Sequence, residues 1–327
     1  MEGPKSVQNL LTRENLLKWA PLLVLLALVV FFSIVNPNFL SLRNFSRLSI
    51  TAAPSLMVAI GVTFIIIMGS IDLSMEGAVS ALAVIFCYFL DWMGGTVAGL
   101  GFLAIPAIML LGAAFGAVNG LIHVKLRIPS FMSSLAMGFV GTGAAVLMTG
   151  GNIVKINDEV FRTLLTVRLL GFPLMAYMAL AFLIIGWIIQ SYTRLGRNFY
   201  AVGGGEDLAH ASGVNVKRVR VMGFALAGMY FAVAALLQVA KLGQAESVTG
   251  ANFMFISITS VVVGGVALWG AIGGVWNALV GVLIVAVINN GMIVIGVPDY
   301  MQDGILGLLV IIAVVLSTDR RSLAFVK

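Results

Sequence analysis

Gly69-Ser70-Ile71-Asp72-Leu73-Ser74-Met75-Glu76-Gly77 interrupts an otherwise apolar stretch, between the low-charge run 50–69 and a second one that ends at Leu90. From Gly77 to Leu90 there are only 14 residues free of charge, too few to cross about 30 Å of hydrocarbon at about 1.5 Å per helical residue. Something polar must therefore enter the membrane. Two carboxylates, two serines and irregular backbone are tolerated at that depth only against protein or an aqueous cavity. The segment reads as a broken or half-inserted element beside a solute path, carrying Asp72, Ser74 and Glu76. The competing reading is a cytoplasmic turn in which both carboxylates are solvated.

The surrounding composition sets the class. Of 327 residues, 61% are apolar and 10% charged, against about 25% charge in ordinary soluble domains, and the mean hydropathy is +1.09. So few charges exclude both a disordered chain and a nucleic-acid-binding surface. What remains is an all-α polytopic membrane protein embedded in a lipid bilayer, with about ten transmembrane helices: 19–35, 50–69, 71–90, 96–122, 129–149, 172–191, 221–240, 254–271, 275–295 and 302–317. With the N-terminus inside, thirteen of the 19 Lys and Arg residues fall on the cytoplasmic side, which favours both termini inside. Trp19, Trp92, Trp187 and Trp276 fall near expected span ends, as an aromatic belt would place them. Lys5, Arg13 and Lys18 precede the first apolar run as in a secretory signal, but that run is long and leads into Asn36-Pro37-Asn38-Phe39, not a small-residue cleavage site. An uncleaved first span is expected.

The organisation is then a cytoplasmic segment 1–18, a membrane domain 19–317 with a cytoplasmic loop 192–220, and a tail 318–327. Gly116-Ala117-Val118-Asn119-Gly120 followed by Pro129 is echoed by Asn289-Asn290-Gly291 followed by Pro298. These spans run in opposite directions, so the echo fits an inverted five-plus-five repeat, or chance in a Gly-rich chain.

One stretch behaves like soluble protein. Tyr192 to Arg220 holds seven charges in 29 residues. Within it, Glu206-Asp207-Leu208-Ala209-His210-Ala211-Ser212 has acidic residues in its first turn, His210 in its last, and Gly213 suited to a left-handed cap. So short a helix cannot persist alone in water. It must dock, either on its own membrane domain or against a cytoplasmic partner.

The chain contains no Gly-x-x-x-x-Gly-Lys-Ser/Thr, no His-Glu-x-x-His and no Gly-x-Ser-x-Gly. Its one cysteine, Cys87, lies in an apolar run, and His123 and His210 have no further ligand at metal spacing, so no disulfide, metal site or cofactor is expected. An ion-coupled carrier would place ionisable residues in its spans. Apart from Asp72 and Glu76, spans four to ten contain only Asp303, which leaves the carrier reading little coupling chemistry and points to an external driving force.

At this point four stretches resemble the permease subunit of the ribose-type ABC sugar importers. They are Gly69 to Ser74; Asn119-Gly120-Leu121 with Ile128-Pro129-Ser130-Phe131; Arg194-Leu195-Gly196-Arg197 through Tyr200-Ala201-Val202-Gly203-Gly204 to Ser212-Gly213-Val214; and Val263-Gly264-Gly265 with Gly270, Gly273-Gly274 and Asn289-Asn290-Gly291. The resemblance implies a transport subunit without its own ATPase site, in a bacterial inner membrane. It further implies a cytoplasmic ATP-binding subunit, a periplasmic or lipid-anchored sugar-binding protein, and a second permease copy or paralogue as partners. On this resemblance Arg194, Gly196, Arg197, Gly203, Gly204, Glu206, Ser212 and Gly213 contact the ATPase. Asp72, Ser74, Glu76, Asn119, Asn289 and Asn290 are candidates for the translocation path, because sugar hydroxyls call for polar partners in a cavity. Two departures stand out: Met75-Glu76 replaces the family's usual Val-Gly, and Gly205 stands where Asn is usual.

Overall fold

A computed structural model describes residues 13–298, 300–302, 304–308 and 311. The expected tail 318–327, most of the segment 1–18, Asp303 and the far half of the tenth span lie outside these residues. The described chain forms α1 (Arg13–Val35), α2 (Leu42–Ile67), α3 (Met75–Trp92), α4 (Ala104–Leu126), α5 (Ser130–Thr149), α6 (Glu159–Thr166), α7 (Leu174–Tyr192), α8 (Arg194–Gly204), α9 (Glu206–Ala211), α10 (Val216–Leu242), α11 (Phe253–Val263) and α12 (Val275–Val294). Seven described helices are long and apolar enough to cross a membrane.

α2 is the central post, its apolar stretch almost wholly buried, whereas α4, α5 and α7 present most of theirs outward. That division follows from sequence: apolar surface in lipid needs no protein cover, so only close packing decides which helix goes inside. Glycine provides it. Gly112 lies against Gly228, Gly116 against the Phe224 carbonyl and Gly120 against Val221, so α4 and α10 run antiparallel with their backbones nearly touching. Gly77 of α3 meets Gly138 and Gly141 of α5 in the same way, and farther along the Tyr88 hydroxyl donates to the Met148 carbonyl at 2.9 Å, which makes that pair parallel.

At one end of the bundle, two-stranded pairings close the connections: β1 (Val154–Lys155) pairs with β4 (Gln244–Ala245), and β2 (Arg168–Leu169) with β3 (Phe172–Pro173). The Asp158 carboxylate caps α6 and also accepts from Thr96 and the Val97 N–H. At the other end lie α8, α9 and the turns 68–74, 127–129 and 264–274.

The eighth span, expected over 254–271, is different. α11 has 11 residues, about 16 Å at 1.5 Å per residue, and stops before Gly264-Gly265, with Gly265, Gly270, Ala271 and Gly273 in the left-handed region. The apolar composition of 264–273 concealed a loop, because positive φ at four positions is a backbone property that hydropathy does not register.

Candidate functional site: the docking helix and the interrupted segment

Between α2 and α3 a turn at Met68-Gly69 leads into residues 70–74, which lie outside helix and sheet. α5 holds it. Ser130 Oγ accepts from the Ile71 N–H at 3.0 Å and Ser134 Oγ from the Leu73 N–H at 2.9 Å. Asp72 is 1% exposed; its Oδ1 accepts from the Ser74 N–H at 2.8 Å, and its Oδ2 has no partner among the described residues. Ser74 is buried as well. Glu76 is half-buried and reaches across to α11, where Oε1 accepts from the Met254 N–H at 3.3 Å. One turn on, Ser80 Oγ accepts from the Gly250 N–H at 2.9 Å. A carboxylate at a helix N-terminus is favoured by the exposed N–H groups and the dipole, so Glu76 ties the start of α3 to the start of α11.

The other path candidates are scattered. Asn119 on α4 is fully buried, with neither amide atom bonded among the described residues. Asn290 exchanges hydrogen bonds with Asn44 of α2. Asn289 borders a cavity of about 320 Å³ shared with Asn252 and Phe255. No described hydrogen bond joins Asn119, Asn289 or Asn290 to the Asp72–Glu76 segment.

The soluble-like stretch resolves into two helices, α8 and α9, of which only α9 is legible as a sequence pattern. Thr193 caps α8 by accepting from the Gly196 N–H at 3.2 Å. α9 ends as expected, with Gly213 at φ 84° and the Val214 N–H returning to the Ala209 carbonyl at 3.0 Å. Arg194, Arg197, Gly204, Glu206, Ser212 and Gly213 are exposed; Gly196 is buried and Gly203 half-buried. Leu208, at 74% exposure, projects from α9 with no apolar cover. Beside α9 lies a cavity of about 550 Å³ bordered by Glu206, Asp207, His210 and residues 213–217.

Three ties bind this region to the membrane helices. The Tyr200 hydroxyl donates to the Gly273 carbonyl at 2.6 Å and accepts from Gln190 Nε2 at 2.7 Å, while Gln190 Oε1 accepts from the Val275 N–H at 2.8 Å. This fixes the start of α12, and burial pushes the Tyr200 phenol above its ordinary pKa. Gly203 packs directly on the Ile67 carbonyl at the end of α2, which also accepts from the Ala271 N–H at 2.9 Å. Arg220 Nη2 bonds Glu206 Oε2 at 2.7 Å, and Arg220 Nη1 lies 3.4 Å from His123 Nε2. Tyr200 falls in a stretch that carries the resemblance but has no role assigned there, and nothing in the sequence marks Gln190 or His123 as a site residue. Each is an ordinary polar residue, and only the partner's position gives it a role. Among the described residues no group of three or more His, Cys, Asp or Glu could hold a metal ion.

Comparison with known proteins supplies the context. The family described as branched-chain amino acid transport system, permease component, matches residues 44–314. The ribose import permease protein RbsC of Escherichia coli K12 is 30% identical over 95% of this chain and 96% of its own length. RbsC of Bacillus subtilis 168 is 36% identical over 94% of both chains. The galactose/methyl galactoside import permease protein MglC of Haemophilus influenzae is 33% identical over 91% of this chain and 92% of its own. No solved structure gives a significant match.

Proposed function

We propose, because the chain belongs to the family of branched-chain amino acid transport system permease components, that it is the membrane subunit of an ABC importer, moving a sugar or related polyhydroxy solute inward by alternating access. One observation carries this reading: a short exposed helix, α9, with uncovered Leu208, tied through Glu206 to α10 and continuous with α8, whose Tyr200 and Gly203 meet α7, the start of α12 and the end of α2. An apolar knob on a short helix fits a groove in a second protein. The partner is a cytoplasmic ATP-binding subunit, whose closure on nucleotide displaces α8 and α9 and, with them, the ends of α2 and α12.

Sugar is favoured over amino acid as cargo. The relatives named above are ribose and galactose permeases by name and align along nearly the whole chain. Ser74, Asn119 and Asn289 among the path candidates are neutral, and neutral amides and hydroxyls suit sugar hydroxyls. Solute arrives from a periplasmic or lipid-anchored binding protein at the face bearing α6, and a second permease copy or paralogue completes the pathway in the bacterial inner membrane, with both termini cytoplasmic.

The test is reconstitution in proteoliposomes with the ATP-binding subunit and the solute-binding protein. Sugar uptake that requires both proteins and ATP is expected. Uphill uptake by the chain alone under a proton or sodium gradient would overturn the reading in favour of an ion-coupled carrier.

A further inference from the structure

We infer that His123 and Arg220 are positioning residues that carry displacement of the docking helix to the interrupted segment 70–74, an inference that rests on the transport function proposed above. The route is continuous in hydrogen bonds. Glu206, the first residue of α9, holds Arg220 of α10 at 2.7 Å. The other terminal nitrogen of Arg220 faces His123 Nε2 at 3.4 Å, and His123 Nδ1 lies 2.6 Å from the Ile128 carbonyl in the turn between α4 and α5. A guanidinium only donates and a carbonyl only accepts, so the tautomer that makes both bonds carries its proton on Nδ1 and turns its Nε2 lone pair toward Arg220. That assignment follows from the partners and fixes the direction of every bond in the chain.

Beyond the turn, Ser130 and Ser134 of α5 bind the backbone of Ile71 and Leu73. The receiving segment lies outside helix and sheet; its ends are tied to α2 and α3 by the Ser70 N–H on the Ile65 carbonyl and the Ala78 N–H on the Ser74 carbonyl, and between those ties these serines hold it. A shift of the 127–130 turn therefore moves 70–74, and through Glu76 it reaches the first turn of α11. The salt bridge alone would not do this, because Glu206 and Arg220 belong to adjacent elements, α9 and α10. α10 already packs closely on α4 at its glycines; His123 adds the polar tie that reaches the Ile128 turn before α5. A cavity of about 420 Å³ bordered by His123, Ile128, Glu206 and Arg220 leaves space for this turn to shift.

The experiment uses the whole complex, with ATP-binding subunit and binding protein, in proteoliposomes, and measures solute taken up per ATP hydrolysed. His123→Ala is expected to lower that ratio at least about fivefold, the lower end of typical coupling factors, while the ATP-binding subunit still co-purifies. Ser134→Ala, remote from the docking face, should give the same signature. His123→Gln, whose amide oxygen can still accept from Arg220, should recover part of the ratio. An unchanged ratio in both alanine variants overturns the inference, and so does an equal fall in uptake and hydrolysis, which would mark a docking defect. If His123→Ala fails to assemble, Ser134→Ala decides alone. A wild-type complex without ATP-dependent uptake would instead sink the transport reading itself.

Discussion

Asn44 and Asn290, 246 positions apart, exchange a reciprocal pair of amide hydrogen bonds of 2.8 and 3.1 Å between the start of α2 and the end of α12. Asn44 also donates to the Phe39 carbonyl. An amide at such a site has either an internal partner or an aqueous surface, and here the partner accounts for both side chains.

Asn290→Leu should therefore destabilise the protein by about 1–2 kcal/mol, because it leaves Asn44 Oδ1 without its donor. The double variant Asn44→Leu/Asn290→Leu should cost less than the sum of the single changes. Thermal unfolding in detergent checks this; strict additivity would show that the pair is not coupled.

Gly203 and Gly204 are adjacent in sequence and opposite in tolerance. A Cβ on Gly203 would overlap the Ile67 carbonyl, whereas one on Gly204 meets only Ala271 Cβ at 3.8 Å. Gly203→Ala should destabilise the protein by about 1–3 kcal/mol, the usual cost of overpacking. Gly204→Ala should unfold near the wild-type temperature. Equal unfolding temperatures of the two in detergent would refute this packing account.

The same contrast applies between α3 and α5. Gly77→Ala places a methyl on the Gly138 carbonyl, while Gly143 on the outer side of α5 has open space. The first should lower stability by about 1–3 kcal/mol and the second should be neutral, as read by melting temperature in nanodiscs.

Tyr200→Phe removes one donor and one acceptor at the start of α12, a loss of about 1 kcal/mol. The wild-type phenol is also raised by burial, so the folded state keeps this proton to higher pH than the unfolded chain. The associated stability is fully present below about pH 10, the unfolded tyrosine value, and is lost as pH rises through the folded value. The stability gap between wild type and Tyr200→Phe should accordingly narrow as pH rises from about 10 through the folded value in unfolding titrations. A constant gap would show that the phenol is not the titrating group.

Much of this molecule is legible in its residues alone. The α9 helix and its Gly213 cap and most span positions follow from charge, periodicity and residue type; the expected shortness of the third span does not hold, because α3 runs 18 residues from Met75 and takes Glu76 into its first turn. The pairing of distant groups is not legible in that way. Asn290 and Asn289 look alike in sequence, yet Asn290 is engaged by Asn44 and Asn289 borders a cavity. His123 reads as a surface or capping residue, and its bonds to Arg220 and Ile128 depend on where α10 lies.

The amino-acid order by itself determined that the chain is membrane-embedded and helical, because 61% apolar composition with 10% charge can be accommodated only where lipid replaces water and each helix satisfies its own backbone. It also marked the polar break at 70–76, since carboxylates and serines are costly in hydrocarbon, but not the loop after α11, whose positive φ hydropathy does not register. Only the tertiary structure decided which breaks meet: Gly203 on Ile67, Glu76 on Met254, Ser134 on Leu73. In lipid, apolar burial does not discriminate among helix pairings, so that choice falls to backbone approach at small residues and to a few polar contacts between residues far apart in the chain.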